Sequence, residues 1–148
     1  MNEANGYYLE DLSVGMSASY AKTITDADVV LFAGVSGDMN PVHLDADYAN
    51  ASMFKGRIAH GMLTASVISA VLGTKLPGPG CIYLSQNLKF KAPVRIGDTV
   101  KARVTVTAID EARGRITVAT LCTVGDTVVI DGEAQIMVPR RPVSQAAE

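Results

Sequence analysis

The chain has 148 residues, 48% of them hydrophobic, and a formal net charge of -2; that length supports one domain with a substantial core. No run of like charges suggests a nucleic-acid face, and with 5% aromatic residues and no Trp there is no base-stacking platform. The longest apolar run, from Met62 to Leu72, falls short of the ~20 residues that a bilayer span requires, so no membrane partner is expected.

Residues 16–24 read as a first strand. Thr25-Asp26-Ala27-Asp28 has the form of a capping box with Thr25 as N-cap. The helix that follows runs through Val29, Val30, Phe32, Ala33 and Val35 and stops at Ser36-Gly37, with Pro41 confirming the break. Asp45 caps a short helix over Tyr48, Ala49 and Asn50, and residues 53–60 form an irregular connection. From Gly61 to Leu72 the chain is apolar nearly all round, broken only by Thr64, Ser66 and Ser69, which predicts a buried helix. Residues 74–80, with two prolines and two glycines, end it.

The remainder reads as β: residues 81–91, 101–108, 115–124 after a hairpin loop at 111–114, then 126–130 and 132–138. The tail from Pro139 to Glu148 is polar and is expected to be disordered, leaving one domain over 1–148 with an ordered core of about 8–139. Cys81 and Cys122 have no metal-ligand spacing and read as buried thiols of a reducing compartment. Residues 1–5 carry no apolar secretory core, so the cytoplasm is the expected location.

One strand, then helices, then antiparallel strands make an α+β domain. A helix apolar on all faces needs a curved antiparallel β-sheet wrapped around it, which is the plan of a single hot-dog fold with a buried central α-helix. Its open edges predict pairing across a two-fold axis, hence a homodimer.

The chemistry concentrates in one quarter of the chain. Both of its histidines fall there, in Gly37-Asp38-Met39-Asn40-Pro41-Val42-His43-Leu44-Asp45 and in His60-Gly61-Met62. An aspartate and an imidazole held on one turn exchange protons near neutral pH. Asn40-Pro41 sharpens that turn, and the Asn40 amide either locks the loop or binds a substrate carbonyl. Gly61 at a helix start offers a backbone N–H, backed by the helix dipole, to a developing oxyanion. For His60 a structural role is favoured, bonding backbone and shaping the turn. Asp38, His43, Asp45 and His60 lack compact metal-ligand spacing, so no metal is assigned. Gly-x-Ser-x-Gly is absent, which argues against a serine hydrolase.

The motif Phe32-Ala33-x-x-Ser36-Gly37-Asp38-x-Asn40-Pro41-x-His43-x-Asp45, followed by His60-Gly61-Met62-Leu63, resembles the (R)-specific enoyl-CoA hydratases, the MaoC-like single hot-dog enzymes that feed polyhydroxyalkanoate synthesis. The likeness continues through Leu76-Pro77-Gly78-x-Gly80-x-Ile82-Tyr83-Leu84 and Phe90-x-x-Pro93-Val94-x-x-Gly97-Asp98. It implies hydration of trans-2-enoyl-CoA to (R)-3-hydroxyacyl-CoA without a cofactor. The family's catalytic Asp, His and oxyanion Gly fall on Asp38, His43 and Gly61, and its helix Ser on Ser69.

Asp38 is the expected proton acceptor from water and His43 the expected donor to C2, the exchange of roles being left open. The acyl chain is expected to run along the buried helix past Ser69 and Leu72, closed by Ile136, with Lys55, Arg57, Lys89 and Lys91 available to CoA phosphates. The alternatives are a 3-hydroxyacyl dehydratase acting on acyl carrier protein, a hot-dog thioesterase, and a non-catalytic acyl-CoA-binding module.

Overall fold

The computed structural model describes residues 5–143. Five strands form one antiparallel sheet: β1 (Ser17–Thr23), β2 (Ile82–Phe90), β3 (Thr99–Asp110), β4 (Arg115–Val124) and β5 (Thr127–Met137), in the order β1-β3-β4-β5-β2. Between β1 and β2 lie α1 (Asp26–Ser36), α2 (Pro41–Leu44), α3 (Ala46–Ala51) and the long helix α4 (Gly61–Thr74). Helix α4 packs against β1, β2, β3 and β4. The core is built from its Ala65, Val67, Ile68, Val71 and Leu72 against Val100, Val104, Val106, Ile116, Val118, Ile130 and Ile136 of the sheet. Alternation along β3 and β4 turns every second side chain inward, as a sheet with one covered face requires.

The local signals explain how the catalytic segment is shaped. Thr25 accepts from the Asp28 N–H at 3.1 Å and Asp28 accepts from the Thr25 N–H at 2.9 Å, a reciprocal cap for α1. The helix ends at Gly37 in the left-handed conformation, φ 80°. Asn40 caps α2 with Pro41 in its first position, and Asp45 caps α3 through the Tyr48 N–H at 3.1 Å. Three caps in twenty-odd residues make a tightly folded segment with short helices.

The structure differs from the sequence reading in three places. Strand β5 is continuous through Gly132, where two strands are expected. A Cβ at Gly132 would lie 2.1 Å from the Asn87 carbonyl oxygen, so the glycine permits close approach of β2 and does not mark a break. Helix α4 is not covered on all faces: Met62 is 56% exposed, and Ser66, Ser69 and Gly73 continue its stripe. Part of the tail is held: the Pro139 carbonyl accepts from the Leu9 N–H at 2.9 Å, and Arg141 pairs with Asp11 and donates its N–H to Glu10, while residues 144–148 of the expected disordered tail lie outside the described residues. No helix among the described residues is long and apolar enough to cross a membrane.

Candidate active site

A cavity of about 570 Å³ opens between the α1–α2 loop, the start of α4 and the end of β2, lined by Asp38, His43, His60, Gly61, Thr64 and Phe90 among others. Asp38 is exposed at its edge. Its backbone N–H donates to Ser36 Oγ at 3.0 Å, and its Oδ1 accepts from the Asn40 N–H at 3.2 Å, so the carboxylate stands on a braced turn. Asn40 uses its side-chain oxygen on the Val42 N–H, which locks the loop, the first of the two roles open to it.

His43 is buried and held from three sides. Its Nδ1 lies 2.8 Å from the Ile58 carbonyl, its own carbonyl accepts from Arg57 Nε at 2.6 Å, and its ring stacks on His60 with centroids 3.9 Å apart. Arg57 is anchored in turn by Asp26 on α1 at 2.7 Å. A carbonyl only accepts, so His43 carries its proton on Nδ1 and the neutral ring offers a lone pair at Nε2. Burial pushes the His43 pKa below its ordinary 6.5; the Ile58 contact opposes the shift, His60 adds to it and Asp38 pulls back.

Helix α4 has no side-chain cap at His60, and the Gly61 N–H has no partner among the described residues. That leaves it for a ligand oxygen in the cavity, with the helix dipole behind it. The reason for glycine here is sharper than expected. A Cβ on Gly61 would sit 2.6 Å from the Phe90 ring, so the residue that needs the room is part of the protein.

One side-chain donor atom from each of Asp38, His43 and His60 falls within 4.8 Å of the others. The two imidazole planes are 31° apart, and each ring has one nitrogen on a backbone carbonyl, which leaves one ring nitrogen of each uncommitted.

The remaining predicted residues separate. Ser69 lies on a second groove of about 620 Å³ between α4 and β2, shared with Met62, Ser66, Tyr83 and Leu84. Leu72 and Ile136 are packed in the core and line neither cavity: helix α4 presents Leu72 to the sheet and not to its open stripe, and the alternation of β5 turns Ile136 inward. Of the four cations, Lys91 alone lines the first cavity; Lys89 lies beside Asp131 and Glu133, and Arg57 is engaged with Asp26 and His43. Sequence reasoning gave Phe90 and Thr64 no place in the site, although Phe90 opens one of the quoted motifs and Thr64 is a polar member of the helix. It also gave His60 no contact with the reacting groups.

Residues 13–128 match the family model of the MaoC like domain. The chain is 61% identical over 135 residues to an (R)-specific enoyl-CoA hydratase of Rhodospirillum rubrum, covering 91% of this chain and 94% of that protein. It is 52% identical to a 3-hydroxybutyryl-CoA dehydratase of Methylorubrum extorquens, over 90% of this chain and 85% of the other. The unliganded R-hydratase PhaJ1 of Pseudomonas aeruginosa superposes with a TM-score of 0.88 at 43% identity, covering 95% of this chain and 97% of its own. With its sheet, its central helix and its braced loop, the chain belongs to the MaoC-like family of single hot-dog proteins.

Proposed function

We propose that the protein is an (R)-specific enoyl-CoA hydratase, adding water reversibly to trans-2-enoyl-CoA to give (R)-3-hydroxyacyl-CoA. The observation that carries this reading is the meeting of the Asp38 carboxylate, the bare Nε2 of His43 and the free Gly61 N–H around one apolar-walled cavity. Nearly full-length identity of 61% to an enzyme of that name supports it.

The proton inventory assigns the roles. One side-chain donor atom each of Asp38 and His43 lies within 4.8 Å of the other, close enough for one water to bridge them, since two hydrogen bonds of about 2.8 Å at a water angle span roughly 4.5 Å. Neutral His43 holds no proton at Nε2 to give away. It therefore takes one from the water as the oxygen bonds C3, while Asp38 orients that water through its second hydrogen. The C2–C3 π electrons move to the thioester oxygen as an enolate. There the Gly61 N–H stabilises the charge, an interaction typically worth ~3–4 kcal/mol. Nε2 then returns its proton to C2, the enolate collapses, and His43 is neutral again. This exchanges the roles expected from sequence, because the Ile58 carbonyl fixes the tautomer.

The protein works as a single domain and as a homodimer. β2 is an edge strand paired on one side only, and it exposes Ile82, Tyr83, Leu84 and Phe90 beside the open stripe of α4. An apolar edge of that length calls for a second strand, and a copy of itself across a two-fold axis supplies one.

The test is turnover of short- and medium-chain trans-2-enoyl-CoA, followed by loss of the conjugated absorbance, with the product trapped by an (R)-3-hydroxyacyl-specific dehydrogenase. Loss with (R) product is the expected result. Inert CoA thioesters with active acyl-carrier-protein thioesters would replace this reading by the dehydratase, and release of free thiol by the thioesterase.

A further inference from the structure

His60 touches both reacting groups, although its side chain faces neither the solvent nor a charged partner. It is 2% exposed, with its ring between Phe32, centroids 4.8 Å apart, and His43, centroids 3.9 Å apart and planes 31° from parallel. Its Nε2 lies 3.0 Å from the Asp38 backbone carbonyl. That carbonyl must accept, so Nε2 carries the proton, and the buried Nδ1 is a lone pair with no partner.

We propose that His60 is the positioning residue of the site, fixing the Asp38 loop through Nε2–H and presenting the ring face on which His43 is stacked. This rests on the hydratase reading and adds a residue to it. The geometry couples the two groups: Asp38 stands on a loop anchored by His60, and His43 leans on the same ring, so a shift of His60 displaces both ends of the bridging water. Misplacement of about 1 Å at such a centre costs roughly 10²-fold in rate. The ring also offers its π face to the imidazolium that His43 becomes in mid-reaction.

The charged and titratable groups around this pair are Asp38 on the loop, Arg57 on the His43 carbonyl with Asp26 of α1 behind it, and Lys91 across the cavity. None of them lies within hydrogen-bond distance of His60 Nδ1, which has no hydrogen-bond partner among the described residues.

With two histidines in the chain, nitrogen-15 correlation of the imidazole rings in the wild-type protein reads both tautomers directly. The expected result is an Nε2–H tautomer for His60 and an Nδ1–H tautomer for His43; an Nδ1–H tautomer for His60 overturns the proposal. Kinetics on variants give the second arm. His60→Phe keeps the stack and loses the donor, whereas His60→Gln keeps a donor and loses the stack. Each is expected to lower kcat by about tenfold or more with KM within about twofold, and to have little further effect in a His43→Ala background, since residues acting as a unit are non-additive. Full independent effects in that background, or unchanged kcat in both variants, would overturn it. A wild-type protein inert toward enoyl-CoA would instead remove the hydratase reading itself.

Discussion

The two cavities flanking α4 are of similar size, about 570 and 620 Å³, yet they are built on opposite principles. Around the first, polar atoms are tied to backbone: Asp38 to Ser36 and Asn40, His43 to Ile58, His60 to Asp38. Around the second, the walls are Met62, Tyr83, Leu84 and the outer stripe of the helix, and they open to solvent at the edge strand. Chemistry is fixed within one chain by short-range hydrogen bonds, while the second groove has the apolar character of a surface that another chain or an acyl group covers. The rigid side is what an acid–base centre requires, because catalysis depends on positions held before the substrate arrives.

The comparison is broken most severely at the first cavity. Asp38→Ala and His43→Ala are each expected to reduce kcat by roughly 10²–10⁴, with an unchanged circular-dichroism spectrum; wild-type-like kcat in both would refute the assignment. Gly61→Ala comes next. It drives a methyl group into the Phe90 ring, and overpacking of this kind costs about 1–3 kcal/mol. The double variant Gly61→Ala with Phe90→Leu should recover stability in urea titration. Activity that recovers with it means that the glycine serves packing, and activity that stays low means that the N–H needs an open approach.

At the second groove the expected change is in assembly. Leu84→Lys puts a charge on the exposed edge of β2 and should shift light-scattering mass toward the monomer while leaving the melting of a single chain nearly intact; an unaltered dimer would mean that β2 is not the interface.

The smallest effect is one of pH. Because His43 has a lowered pKa in the folded state, the unfolded chain takes up its proton first as pH falls below about 6.5. Stability is therefore unaffected by this group above that pH and declines as pH drops toward the folded value. Hydration, which needs the neutral ring, persists below 6.5 and is lost only when His43 is protonated in place. An acid limb of kcat/KM above 6.5 would contradict the burial that lowers it.

Most of the catalytic segment was legible because its folding is local. Thr25 with Asp28, Asn40 with Pro41, and Asp45 are caps whose partners lie within three residues, so spacing alone reveals them. Gly61 was recognisable as a helix start for the same reason. What escaped depends on distant partners. Gly132 reads as a break until Asn87 of β2 is seen against it, and Phe90 reads as an ordinary strand residue until it covers Gly61. Leu72 and Ile136 have the right composition for an acyl wall, and only the rotation of α4 against the sheet and the register of β5 decide that they face the core. His60 shows the same limit: its neighbours Phe32, Asp38 and His43 are seventeen or more residues away in sequence.

The clasp between the two ends of the described chain has a consequence for engineering. Leu9 bonds Pro139, Arg141 reaches Glu10 and Asp11, and the Arg141 guanidinium lies over the Tyr8 ring at 5.2 Å. Ends that lie side by side can be joined by a short linker, and loop-closure entropy rises only slowly with linker length. A circular permutant opened at the tight Gly125 turn between β4 and β5 would then keep every strand neighbour and the whole of the α1–α4 segment. Such a permutant should fold and turn over substrate at the parent rate, measured by the same absorbance assay, and would carry fusion partners on a hairpin instead of beside the clasp.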